Sequence, residues 1–159
     1  MSGKVEAKLR QMGYELPPPF TFPKNNRTGA TQAGSILYLS GHGLALPQLP
    51  KVRQAGKFGA DITVEEGYAT ARAVALTMLA TIKAHCGDLD RVKRVLRLFG
   101  MCNCTPDFAQ QPQVIDGASD LFFELYGPQA GQHARSAVGH VALPRGIAVE
   151  INGEFELYA

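Results

Sequence analysis

Arg135 and Glu150 are the two side chains whose type and spacing best suit chemistry on a small organic acid. They stand in residues 134–151, which read as two short strands around a Leu-Pro-Arg-Gly turn. Arg135 opens the first strand and shares a face with Ala137, Gly139 and Val141, while Ser136, Val138, His140 and Ala142 take the other. After the turn, Ile147, Val149 and Ile151 point one way, and Ala148, Glu150 and Asn152 the other. A guanidinium at a strand end is a planar, permanently charged fork that matches a carboxylate. Glu150 continues into Asn152, Glu154 and Glu156 on one face, which is also the pattern of an ordinary solvated strand. Ser40-Gly41 closes an earlier apolar run; the serine can donate to a ligand oxygen, and the glycine lets a ligand approach the backbone.

Several elements must hold these groups in place. Residues 3–13 carry Val5, Leu9 and Met12 at helical spacing and stop at Gly13. Pro17-Pro18-Pro19 then enforces an extended linker, since each proline disfavours helix in the residue before it. A hairpin is expected from 28–33 through Gly34-Ser35 to 36–40, followed by a Pro- and Gly-containing loop over 43–60. Thr63 and Glu66 form a capping box that opens a helix over 64–86, with Val64, Tyr68, Ala71, Ala75, Met78 and Ile82 on its inner stripe and Gly87 as its stop. Residues 92–104 read as a long strand and 112–126 as a second long helix. The order β-β-α-β-α-β-β predicts an α+β fold with both helices on one face of a single sheet. The expected division is a helical extension and Pro-rich linker over 1–26 and one domain over 27–159.

If the last two strands pair as a hairpin centred near 144–145, Arg135 falls opposite 154 and Glu150 opposite 139. Their separation along the ladder is then about 13–17 Å, at ~3.3 Å per residue. One small substrate does not span that gap within one chain, so a pocket between subunits is expected.

The run Arg135-Ser136-Ala137-Val138, then Ala142-Leu143-Pro144-Arg145-Gly146, then Val149-Glu150-Ile151, resembles the Rid family of reactive intermediate deaminases, also called YjgF. Upstream segments agree in order: Ile36-Leu37-Tyr38-Leu39-Ser40-Gly41, Gly59-Ala60-Asp61-Ile62-Thr63, Gly87-Asp88-Leu89-Asp90-Arg91-Val92-Lys93 and Pro106-Asp107-Phe108. The resemblance covers roughly residues 27–156. It implies a chorismate-mutase-like fold, a homotrimer with pockets between subunits, and cofactor-free hydrolysis of 2-imino acids to 2-keto acids and ammonia. It also implies that Arg135 grips the substrate carboxylate while Glu150 orients or deprotonates the attacking water. The family's pocket tyrosine falls at Arg27, its second-helix asparagine at Asp116 and a frequent cysteine at Ala137, while His42 stands where a glutamine is usual. Two arginines favour a larger or doubly anionic ligand. A carboxylate-binding trimer without turnover, and the family's older label of endoribonuclease, are the alternatives.

Composition sets the outer bounds. The chain has 159 residues, a net charge of +2 and three cysteines, Cys86, Cys102 and Cys104. Mild basicity gives no electrostatic case for nucleic acid as the main partner. An odd cysteine set suits a reducing compartment, and no apolar run is long enough for a membrane helix, so the expected location is cytoplasmic. Cys102 and Cys104 share a strand face without a Cys or His pair beside them, which argues for packing over a metal site. Gly41-His42-Gly43 lacks the third glycine and following helix of a dinucleotide loop. No cofactor is expected. The basic run 91–97 alternates with apolar residues, as a strand with a solvated edge does.

Overall fold

The computed structural model describes residues 3–45 and 49–159, so positions 46–48 of the expected 43–60 loop lie outside the described residues. The elements are α1 (Lys4–Gln11), β1 (Ala30–Ala33), β2 (Ile36–His42), α2 (Val64–Cys86), β3 (Val92–Asn103), α3 (Gln111–Ala130), β4 (Ala134–His140) and β5 (Val149–Leu157). Beyond α1, this is the α+β order expected from the residue patterns. Thr63 accepts from the Glu66 amide, and the Glu66 carboxylate accepts from the Thr63 amide, so the capping box forms as read. Gly87 ends α2 with φ 83°, a left-handed conformation that glycine adopts without a Cβ penalty.

One five-stranded sheet runs in the order β1-β2-β5-β3-β4. Helices α2 and α3 cover one face: Leu37, Leu98, Cys102, Val149, Ile151 and Phe155 point inward to meet Val74, Met78, Ile115, Leu121 and Phe122. Each fully buried large side chain of this set contributes about 1.5–3 kcal/mol through removal from water. The helices approach so closely that a Cβ on Gly117 would stand 2.0 Å from the Tyr68 carbonyl oxygen. The other sheet face is mostly open, with a small apolar cluster of Met101, Leu143 and Ile147.

The expected hairpin between the last two strands does not form. β3 lies between β4 and β5, parallel to the first and antiparallel to the second. Burial explains this. Gly100–Asn103 of β3 is buried throughout and needs a neighbour on each side, whereas β4 is largely exposed and suits an edge. Residues 141–148 cross the end of β3, anchored by Leu143 and Ile147 against Met101. Asn103 donates through its backbone to the Ala148 carbonyl and through its amide to the Ile147 carbonyl. The Leu-Pro-Arg-Gly segment is therefore a 3-10 crossing turn, with Arg145 at φ 58°.

The N-terminal segment packs onto the domain. Asp90 accepts hydrogen bonds from the Lys4 and Val5 amides (2.8 and 2.9 Å), capping α1 from a distant turn, and Val5 and Leu9 join the main core. The basic run of β3 is partly neutralised by β5: Lys93 pairs with Glu156 and Arg97 with Glu154. Among the described residues, no helix is long and apolar enough to cross a membrane.

Candidate functional site

A β-bulge builds the first half of the site. Leu39 faces Gly153 and His42 faces Ile151, so Ser40 and Gly41 together oppose Asn152. The extra residue keeps Leu39 and His42 pointing at the helices while turning both Ser40 and Gly41 to the open face. His42 locks this arrangement from behind. Its Nδ1–H donates to the Ser40 carbonyl (2.6 Å) and its Nε2 accepts from the Thr81 hydroxyl (2.8 Å). The Ser40 hydroxyl donates to the Thr28 carbonyl at 2.6 Å, so what it presents to a ligand is its oxygen rather than the proton expected from sequence.

Burial, the largest influence on His42, pushes its pKa below the ordinary histidine value and outweighs the hydrogen bond to Ser40. The unfolded chain therefore takes up a proton that the folded chain resists. Stability from this group is present above the unfolded pKa and lost as pH falls through about 6.5 towards the lower folded value. His133, also lowered chiefly by burial, acts in the same direction. Urea midpoints of the wild type should thus drop as pH falls below about 6.5, and His42→Gln should flatten part of that drop. An identical pH profile for the variant would exclude His42 as a source.

Glu150 projects from β5 over the bulge. A Cβ on Gly41 would lie 2.4 Å from Glu150 Oε2, so the carboxylate occupies space that only glycine leaves open. Farther along the same strand face, Glu154 and Glu156 are held by Arg97 and Lys93. Glu150 has no hydrogen bond or ion pair among the described residues. That asymmetry separates it from an ordinary solvated strand face. A cavity of about 360 Å³ here gathers Arg27, Ser40, Gly41 and Glu150, four of the expected residues, with Phe20, Phe22 and Arg145 beside them.

Arg135 lies elsewhere. It points to the helix side, where Nη1 donates to Asp116 (2.7 Å) and to the Ser119 hydroxyl (3.1 Å). Ser119 in turn donates to His133 Nε2 (2.9 Å), while His133 Nδ1–H donates to the Gly131 carbonyl (2.7 Å). Nη2 makes one long bond of 3.4 Å to the Pro112 carbonyl. Of the five donors of a guanidinium, the Nε–H and one Nη2–H are thus unused among the described residues. The same two nitrogens of Arg97 grip Glu154 at 2.9 Å each, which is the geometry a ligand carboxylate can adopt on Arg135. A second hollow of about 290 Å³ contains Arg135, Asp116, Ser119, Asp120 and His133. Ala137 lines neither hollow and packs against the main core.

The two halves are not joined within the chain. Arg135 pairs with Leu98, and Glu150 with Met101, on either side of β3. Their backbones are roughly 14 Å apart and their side chains leave opposite faces of the sheet. The register differs from the hairpin expectation, yet the separation it implied stands. Phe20, Phe22 and Arg145 join the site beyond the residues expected from sequence: the aromatics sit in the linker after the prolines, and Arg145 sits in a turn. Two phenylalanines two apart in a Pro-rich stretch were the available signal.

Comparison with known proteins bears on this geometry. The family model described as "YjgF/chorismate_mutase-like, putative endoribonuclease" matches residues 6–149. The chain belongs to the YjgF family. Protein TCP17 of Trypanosoma cruzi is 42% identical over 160 residues, covering 98% of this chain and 96% of its own. A "putative endoribonuclease" of Shewanella oneidensis MR-1 superposes with a TM-score of 0.87 at 35% identity, covering 98% of this chain and all of its own. Protein Atu1372 of Agrobacterium tumefaciens, of unknown function, gives 0.84 at 34%, covering 97% and 92%. TdcF of Escherichia coli, solved with bound serine, shares the fold at 19% identity and a TM-score of 0.55, covering 90% and 94%.

Proposed function

We propose that this YjgF-family chain is a cofactor-independent hydrolase that deaminates 2-imino acids at a cleft between copies of itself. In this reading the Arg135 edge of one copy meets the Ser40–Glu150 face of another, in a homotrimer. The observation that carries the proposal is the unpaired Glu150 carboxylate, held over a glycine in a cavity while the neighbouring glutamates are neutralised.

The chemistry then follows from charge. The open edge of Arg135 takes the substrate carboxylate and so fixes the plane of the adjacent C=N bond. Glu150 faces the cationic iminium and accepts a proton from the attacking water as its oxygen bonds to the imine carbon. The resulting carbinolamine receives that proton on nitrogen and breaks its C–N bond as the carbonyl forms, and its hydroxyl proton passes to the departing ammonia. One water is consumed, and a 2-keto acid and ammonium leave. No oxidant, metal or organic cofactor enters the balance.

Glu150→Gln keeps the shape of the side chain and removes its charge. Ammonia release from freshly generated imino acids should fall about 100-fold. The melting temperature should hold, because Glu150 has no ion pair among the described residues to lose. Unchanged turnover in Glu150→Gln would remove the carboxylate from the reaction.

Asp116 favours a second reading. Its carboxylate already shares Arg135, which weakens the pull on a ligand anion and suits a trimer that holds small carboxylates or zwitterions without turnover. Serine in TdcF is a ligand of that kind. Calorimetric binding of keto acids with no ammonia release from any imino acid would select it. Endoribonuclease activity has less support in the geometry, since His133 and His140 line separate hollows and His42 is buried behind the bulge. Cleavage that persists in highly purified protein and vanishes in Glu150→Gln would revive it.

A further inference from the structure

We propose that the cavity beside Glu150 selects 2-imino acids whose side chain ends in a second anionic group, foremost a carboxylate. This rests on the deaminase reading above and names the substrate class for that site. The cavity holds three charged side chains that do not neutralise one another. Arg27 lies over the Phe22 ring, 4.8 Å from its centroid, and donates to the uncharged Asn26 amide at 2.9 Å. Arg145 has no hydrogen bond or ion pair among the described residues, and neither does Glu150. Most other arginines of the chain behave differently: Arg53, Arg72, Arg97 and Arg135 each hold a carboxylate. Two cations left without an anionic partner among the described residues, in one hollow, are a binding capacity that the fold does not use.

The positions of the three charges fit one ligand. Glu150 lies over the bulge, where the cationic C=N group has to meet water. Arg27 and Arg145 bring a net positive charge to the same hollow, so a remote carboxylate is drawn to them and away from Glu150. Phe20 and Phe22, 4.9 Å apart edge to face, supply an apolar wall suited to the methylenes between the two ends. Arg145 is also one of two non-glycine described residues with positive φ, at 58°. A backbone of that kind costs a non-glycine residue about 1–2 kcal/mol and tends to persist where a side chain must be aimed. The aromatic wall comes from the N-terminal segment, which gives that segment a place in the site.

The test compares two imino acids of equal length that differ only at the far end. These are 2-iminoglutarate and 2-iminopentanoate, generated by amino-acid oxidases from glutamate and norvaline. Wild-type kcat/KM should favour 2-iminoglutarate by about 10-fold or more, and the preference should shrink about tenfold in Arg27→Ala and in Arg145→Ala, since each removes a charge-assisted contact. A wild type without preference, or variants that slow both substrates equally, overturns the proposal and leaves the deaminase reading intact. If neither substrate releases ammonia, the deaminase reading fails by itself. Calorimetry with 2-oxoglutarate against 2-oxopentanoate then decides: tighter 2-oxoglutarate binding that disappears in Arg27→Ala/Arg145→Ala supports the anion subsite, and equal binding rejects it. Loss of the wild-type oligomer in either variant, read by light scattering, would assign the arginines to subunit contact and also reject it.

Discussion

Arg135→Ala is expected to lower kcat/KM for imino-acid hydrolysis by about a thousandfold, and Arg135→Lys by about a hundredfold. Lysine keeps the charge but presents a point ammonium, so it cannot form the two parallel N–H···O bonds that the proposed reaction uses to fix the plane of the acid. Folding should survive both changes. The pair with Asp116 is partly exposed, with side-chain exposures of 20% and 48%, and such pairs contribute about 0–1 kcal/mol. The same assay on Asp116→Asn should move the other way, lowering KM, because the open edge of Arg135 then meets the ligand with its charge unshared. Steady-state kinetics beside thermal melts separate the outcomes. Equal rates for wild type and Arg135→Ala would sink the catalytic reading of this side chain.

Gly117→Ala is expected to be the most damaging small substitution for stability, at about 2–3 kcal/mol. The added Cβ meets the Tyr68 carbonyl oxygen at 2.0 Å, the Tyr68 carbonyl carbon at 2.8 Å and the Arg72 amide nitrogen at 3.1 Å. All three belong to the backbone of α2, so no side-chain rotation relieves the clash and the helices must separate. Alanine's better helix propensity returns about 1 kcal/mol, which is already counted in that range. For a chain of this size the melting temperature should fall by about 5–10 °C. Gly13→Ala, just past the end of α1, is the informative comparison. Its φ is 82°, and nothing among the described residues lies within 4 Å of the added carbon, so it should cost only about 1–2 kcal/mol of backbone strain. If the two variants melt together, close helix packing is not what Gly117 provides. Moving α3 would also shift Asp116 and Ser119, so lost activity in Gly117→Ala should accompany its lost stability.

Much of this protein is legible in its residue order because local physics decides it. The Thr63–Glu66 capping box, the α2 stripe and the Gly87 stop depend on neighbours within a few positions, and α2 runs over Val64–Cys86 as read. The β1–β2 hairpin forms for the same reason, with Ala33 opposite Ile36 across Gly34-Ser35. Alternation placed Arg135 and Glu150 on their strands and grouped Glu150 with Asn152, Glu154 and Glu156. Strand neighbours are a different matter. Sequence adjacency made a hairpin of β4 and β5 plausible, whereas burial of the β3 end required it to lie between them. Only the fold could show that, among the described residues, Glu154 and Glu156 find cations while Glu150 does not, because those partners come from β3, more than fifty positions away. Likewise the bulge that turns Ser40 and Gly41 to one face, and the packing that brings Phe20, Phe22 and Arg145 beside Glu150, depend on long-range contacts. Residue types fixed which chemical groups were available; three-dimensional packing chose which of them stay unneutralised and face a common space, because charge pairing and burial act through distance in space and not along the chain.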